Sequence, residues 1–184
     1  MFEKVKYRIF ERRLKRQIAL LRREVKNKSF DELESILFFF NCTSEEKYRE
    51  FERIYNYCKD QGKNIRAIGY TNMKHQAHFC TPRINFEYVL LSHHNSMGIP
   101  TASWVDELLK KEFDVLIDLS HCMHNSFQWL IALSKSHCKV GAADVKCESL
   151  YDITIDTEND PTQRYLMQQA IIYMNMLKNK TSNI

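Results

Sequence analysis

Two hydrophobic patterns divide the chain. Over residues 3–26, Phe10, Leu14, Ile18, Leu21 and Val25 recur at steps of three and four, extended upstream by Phe2 and Val5, with no glycine or proline among them. That spacing predicts an amphipathic helix. From Asp31 the pattern changes. Ser35-Ile36-Leu37-Phe38-Phe39-Phe40 is a short unbroken apolar run, as expected of a strand buried on both faces. Thr43 with Glu46 reads as a capping box opening a helix to about Gln61 on Tyr48, Phe51, Tyr55 and Cys58, and Gly62 takes the C′ role. Residues 64–70 read as a second strand, completing a strand–helix–strand unit.

A polar, irregular stretch over 71–85 follows. The pattern then gives a strand at 86–92, a helix at 102–111, the clearest strand of the chain at 113–119, a helix at 127–137, and strands at 139–142 and 152–156. Asp160-Pro161 reads as N-cap and first residue of a last helix built on Leu166, Ala170, Tyr173, Met174 and Leu177. Met167, Met174 and Met176 read as core filler in that helix. Alternation of this kind predicts a Rossmann-like α/β fold, doubly wound around a mainly parallel sheet and preceded by a basic amphipathic N-terminal helix. The division expected is residues 1–28 for the helix and 29–184 for a single α/β domain.

Composition agrees with a folded domain: of 184 residues, 44% are hydrophobic and 27% charged. Charge adds more. The net +4 conceals an asymmetry: residues 1–28 hold eleven Lys/Arg against three Glu, or +8, while the rest holds sixteen basic and twenty acidic residues, or −4. Such a separation points to a segment that meets an anionic partner. Lysine or arginine interrupts the first apolar residues every few positions, so no secretory signal is read, and no run approaches the roughly 20 apolar residues of a membrane span. The six cysteines form no CxxC pair and read as reduced thiols, which gives a cytoplasmic expectation.

The candidate chemistry lies in two places. Lys4, Arg8, Arg12, Arg13, Lys15, Arg16, Arg22 and Arg23 are candidates to neutralise RNA phosphates, with Tyr7 and Phe10 as stacking surfaces. The same helix suits an anionic membrane, with Phe2, Val5, Ile9, Phe10 and Leu14 entering the headgroups, or docking of its apolar stripe on the domain or on a second copy of the chain. The second place is the crevice expected at the strand ends, where Thr43 and Ser44 meet His121, His124, Asn125 and Ser126. His121 or His124 suits a general acid/base and Cys122 a nucleophile, but no GxGxxG, GxxxxGK[ST] or GxSxG precedes a helix. Ser126 as cap of the following helix is the simpler reading, so no catalytic residue and no cofactor is assigned. His75, His78 and Cys80, the pair His93–His94, and His121-Cys122-His124 fall short of a zinc pattern, so no metal ligand is assigned. Asp114 and Asp118 lie on one face of the strongest strand, Asp118 at the end where a functional acid belongs.

Residues 113–142, FDVLIDLSHCMHNSFQWLIALSKSHCKVGA, resemble one stretch of the N-terminal Rossmann domain of heptosyltransferase-type GT-B glycosyltransferases. With Tyr151-Asp152-Ile153-Thr154-Ile155 after it, the segment looks more like a family of short Rossmann-like proteins of unknown function found in Bacteroidetes, a likeness spanning most of the chain. Asn41-Cys42-Thr43-Ser44 stands where the transferases carry small, glycine-containing sequence, and there is no room for their nucleotide-sugar domain. The expectation is therefore a non-catalytic accessory protein that binds RNA or the ribosome through its basic helix. The alternatives are a small nucleotide- or sugar-nucleotide-binding enzyme related to glycosyltransferases, and a peripheral membrane adaptor.

Overall fold

The computed structural model describes residues 2–121, 124–143 and 148–181. Six strands form one parallel sheet: β1 (Ser35–Asn41), β2 (Asn64–Tyr70), β3 (Phe86–Val89), β4 (Val115–Asp118), β5 (Cys138–Ala142) and β6 (Ile153–Ile155). They lie in the order β3-β2-β1-β4-β5-β6, and every pairing is parallel. The chain winds outward from β1, returns to the centre and winds outward again from β4, which makes the fold a Rossmann-like α/β sheet.

The apolar run at 36–40 is explained by its central place. Ile36, Phe38 and Phe40 enter the core beneath α2 (Glu45–Asp60) and α5 (Gln163–Thr181), while Leu37 and Phe39 enter the core beneath α3 (Val105–Lys110) and α4 (Asn125–Leu133). Aromatic packing is dense on both sides: Phe40 stacks on Phe51 with ring centroids 3.8 Å apart, and Phe39 meets Phe127 edge-on at 4.8 Å. Offset and edge-to-face pairs add to burial rather than merely filling space.

A further layer covers α4. Helix α1 (Phe2–Leu20) packs outside it, with Phe10 and Leu14 buried against Ile99, Trp129 and Leu133. Every residue of α4 from Ser126 to Leu133 is therefore buried, its Phe127, Leu130 and Ile131 toward the sheet and its Trp129, Ala132 and Leu133 toward α1. The basic helix is thus docked by its apolar edge.

The helix expected over 3–26 stops at Leu20. Residues 21–29 instead run past the N-terminal ends of the strands and trade helical bonds for tertiary ones. Lys26 N–H donates to His137 O at 3.2 Å, the Arg23 guanidinium holds both oxygens of Asp152 at 2.6 Å, and Lys28 pairs with Asp114 at 2.7 Å. Val5, Ile18 and Val25, expected in the apolar stripe, are exposed.

Other boundaries also move. The cap of α2 is Ser44, which accepts from Lys47 N–H, and not Thr43, whose hydroxyl is engaged with Asn41. The expected 86–92, 102–111 and 127–137 elements contract to β3, α3 and an α4 that begins two residues early. In the last helix Thr162 Oγ1 accepts from Tyr165 N–H, so Asp160-Pro161 precedes the helix instead of opening it. Tyr173 and Met176 are exposed there, whereas Leu166, Met167, Ala170 and Met174 form its buried face. The described cysteines Cys42, Cys58, Cys80 and Cys138 are free and buried.

Candidate functional site

The cations of α1 are sorted by the docking of Phe10 and Leu14. At 100° per residue, Arg8, Arg12, Lys15 and Arg16 fall on the side away from the buried edge, and all four are exposed. Lys4, Arg13 and Arg22 are exposed as well. Arg23 is a different case. Its hydrogen bond to Asp152 raises its pKa against the cost of burial, and its fork also reaches Ser136 O at 3.2 Å. Arg23 is a clamp between the N-terminal segment and the sheet, not a displayed charge. Val5 and Ile9 lie exposed among the outward cations.

The six residues expected to share one crevice fall into two groups. Asn41, Ser120 and His121 line a hollow of 370 Å³ at the ends of β1 and β4, with Lys47, Glu46, Glu50 and Gln163 around it. Asn41 Nδ2 donates to Ser120 O, and its Oδ1 accepts from Thr43 N–H and Oγ1. The hydroxyls of Thr43 and Ser44 are therefore committed to the turn and cap. His121 carries φ of +48°, in the left-handed region that a non-glycine residue adopts only at a cost. The two glutamates make this hollow a poor receptor for an anion.

His124 and Asn125 belong to a different and larger cleft of 790 Å³, bounded by α1, the 94–98 loop and the start of α4. Its wall is built by side chains that tie the loop down. Asn95 Oδ1 accepts from Met97 N–H at 2.9 Å and Ile99 N–H at 3.2 Å, Asn125 Nδ2 donates to Met97 O at 2.9 Å, and Ser126 Oγ donates to Gly98 O at 2.7 Å. Gly98 has φ of +79°, and a Cβ there would meet Asn125 Cβ at 2.6 Å, so the close approach requires glycine. Ser126, expected as the helix cap, is buried in the first turn. The cap is His124, whose Nδ1 accepts from Ser126 N–H at 3.2 Å. Burial, reinforced by the neighbouring His94, lowers the His124 pKa to about 4.

The acids of β4 are structural. Asp118 is wholly buried, accepting from Ser120 N–H at 2.9 Å, Ser120 Oγ at 2.6 Å and Tyr151 OH at 2.6 Å. Burial raises its pKa even against those donors. Asp114 sits at the opposite end of the strand. Partial burial there disfavours its charge, but Lys28 and the N–H groups of Glu34 and Ser35 outweigh that and hold it below the usual carboxylate range. The histidine–cysteine clusters do not converge either: His75 and His78 are exposed, while Cys80 turns inward to Cys42, Sγ to Sγ at 2.8 Å. Burial raises both thiols, which suits packing more than reactivity. Among the described residues, no group of three His, Cys, Asp or Glu side chains is placed to hold a metal ion. Cys122 lies outside the described residues.

One side chain had no signal in the periodicity. Lys139, the second residue of β5, is buried with 3% exposure and donates from Nζ to Ala132 O at 2.9 Å, at the last turn of α4. Burial, with help from Arg23 and against Asp152, lowers its pKa to about 7.

Sheet order and flanking helices define a Rossmann-like α/β protein with a cationic helix docked on one face. The chain belongs to a family of unknown function (DUF6913), whose model matches residues 6–177. That match bears out the expected membership in an uncharacterised Rossmann-like family, and it carries neither the bacterial group nor the glycosyltransferase likeness. No curated protein and no solved structure matches the chain. None of the described helices is long and apolar enough to cross a membrane.

Proposed function

We propose that this protein is an accessory factor that binds RNA, on the ribosome or free, through the outward face of α1. The observation that carries the reading is the division of labour on that helix. Phe10 and Leu14 fix it to α4, which leaves Arg8, Arg12, Lys15 and Arg16 on the opposite side. Residues i and i+4 are neighbours about one turn apart, so these four make a rigid cationic row along the helix. A preformed row neutralises successive phosphates without first ordering a flexible tail, and each neutralised phosphate releases condensed counterions. The rest of the chain, at −4, gives no such attraction of its own.

A membrane reading has one observation in its favour, the exposed Val5 and Ile9 between the arginines. It is the weaker of the two, because Phe10 and Leu14 are already buried and supply nothing to a bilayer while α1 stays docked. The glycosyltransferase-related alternative finds no glycine-rich loop after β1, and the acid at the end of β4 is occupied by Tyr151 and Ser120.

The test is co-sedimentation with ribosomes across a salt series, using wild type and a quadruple variant with Arg12, Arg13, Lys15 and Arg16 changed to glutamine. All four are exposed and glutamine is a good helix former, so the fold is retained by circular dichroism. Wild-type affinity falls steeply with salt, and the variant loses about three from the slope of log affinity against log salt, at about 0.7 per single-strand phosphate contact. Wild type that pellets with anionic vesicles and not with ribosomes transfers the function to the membrane reading. Wild type that pellets with neither ends both.

A further inference from the structure

We propose that the cleft between α1 and the 94–98 loop is a binding site for a phosphate monoester, either a free nucleoside monophosphate or the phosphorylated 5′ end of an RNA. The cleft shares only Arg8 with the outward face of α1; Lys4, Lys6, Tyr7 and Glu11 line it from a different edge of that helix. Lys4, Lys6 and Arg8 line it from α1 against one carboxylate, Glu11. The opposite wall is the 94–98 loop with His94, and the floor carries His124 and Asn125 from the start of α4. A volume of 790 Å³ is that of a ligand pocket and exceeds the needs of an inorganic anion. Tyr7 and Met97 give the remaining space an apolar flank against which a nucleobase can lie.

The two imidazoles specify the ligand further. His124 Nδ1 accepts from Ser126 N–H, so in the neutral ring the proton sits on Nε2, which is a donor. His94 Nδ1 faces the carbonyl of Asn95 at 3.3 Å and must donate, which leaves Nε2 as an acceptor in the neutral ring. That Nε2 is buried and has no hydrogen-bond partner among the described residues. The rings lie 4.8 Å apart. Side by side they offer one donor and one acceptor, with cationic donors opposite. A phosphate monoester answers this arrangement: its oxygens accept from His124, Lys4 and Arg8, and its monoanion carries one P–OH to give to His94 after a small turn of that ring. A carboxylate or a phosphodiester carries the same single charge but has no such proton to give. The helix dipole of α4 is not needed. The N–H groups of Ser126, Phe127 and Gln128 are already bonded to His124.

The wall is preformed, which favours a binding site over a chance hollow. Asn95, Asn125, Ser126 and Gly98 fix the loop to α4 through the bonds described above, so little ordering cost remains to be met when a ligand enters.

Isothermal titration of the full chain at low salt tests the proposal, with inorganic phosphate, adenosine 5′-monophosphate and adenosine as probes. A short oligoribonucleotide is added with a 5′-phosphate or a 5′-hydroxyl. The nucleotide and phosphate bind, adenosine does not, and a Lys4→Gln/Arg8→Gln variant weakens the nucleotide by about tenfold or more, as loss of charged hydrogen bonds requires. An Arg12→Gln/Arg16→Gln variant, altered only on the outward face, changes it by less than about twofold. A 5′-phosphorylated oligonucleotide that binds about tenfold tighter than its 5′-hydroxyl counterpart, with that gain lost in Lys4→Gln/Arg8→Gln, identifies the RNA end as the source. Nucleotide binding without that gain identifies the free nucleotide. No heat from phosphate or nucleotide overturns the site, and so does an equal loss in both variants, which marks a diffuse positive field. Ribosome binding that fails while the nucleotide still binds removes the RNA reading alone.

Discussion

Methionine in place of Lys139 raises the stability of the protein at pH 7. A lysine with an ordinary pKa near 10.5 and a folded pKa of about 7 binds its proton more readily in the unfolded chain than in the fold. The penalty is complete below about pH 7, diminishes as pH rises through the interval from 7 to 10.5, and is gone above it. Wild-type stability therefore increases with pH across that interval from this group, and the advantage of methionine declines over the same range. Each pKa unit is worth about 1.4 kcal/mol, and the lost bond from Nζ to the Ala132 carbonyl returns about 1 kcal/mol to the other side. A net gain on the order of 3 kcal/mol at pH 7 remains, or about 6–12 °C in Tm for a chain of this length. Thermal melts of both proteins at pH 7 and pH 10 give the answer. A variant less stable than wild type at pH 7, or a difference that does not shrink with pH, means that burial of the Lys139 ammonium does not cost the fold stability.

Phe10→Ala detaches α1. The ring is fully buried, sits 6.2 Å from Trp129 and shares its pocket with Ile99 and Leu133. Large-to-small changes at such a site cost about 3–5 kcal/mol. Because α1 is an outer layer, the loss falls first on its docking and only then on the sheet. Hydrogen-exchange protection disappears over residues 4–20 while β1 and β4 keep theirs, and Trp129 emission shifts to the red as water reaches the ring. The clamp of Arg23 on Asp152 and the bond from Lys28 to Asp114 hold the following segment in place. Protection lost throughout the sheet instead would show that α1 belongs to the cooperative core.

The central part of the fold was legible because burial on both faces leaves an unmistakable run, as at residues 36–40, and because helices over the sheet repeat their apolar positions. The docking of α1 was legible too: Phe127 and the run from Trp129 to Leu133 put large apolar residues on more than one side of α4, with Trp129 and Leu133 away from the sheet, so a second layer had to cover them. Periodicity misplaced the end of α1 because Leu21 and Val25 continue the spacing, whereas the bonds that stop the helix come from Asp152 and His137, more than 100 residues away. The crevice was misjudged for a similar reason. Adjacency in the 120–126 loop does not say on which side of β4 each residue emerges, and His121 and His124 emerge in separate hollows. Lys139 had no pattern to announce it, since one lysine in a strand reads as solvent-facing until the covering helix is known.

The strands shorten from seven residues at β1 and β2 to four at β3 and three at β6. The sheet thus tapers to brief margins on both sides, each offering only a short rail of unpaired N–H and C=O groups. An incoming strand finds little to extend, so these molecules are poorly suited to joining edge to edge into ribbons, even when crowded at high concentration.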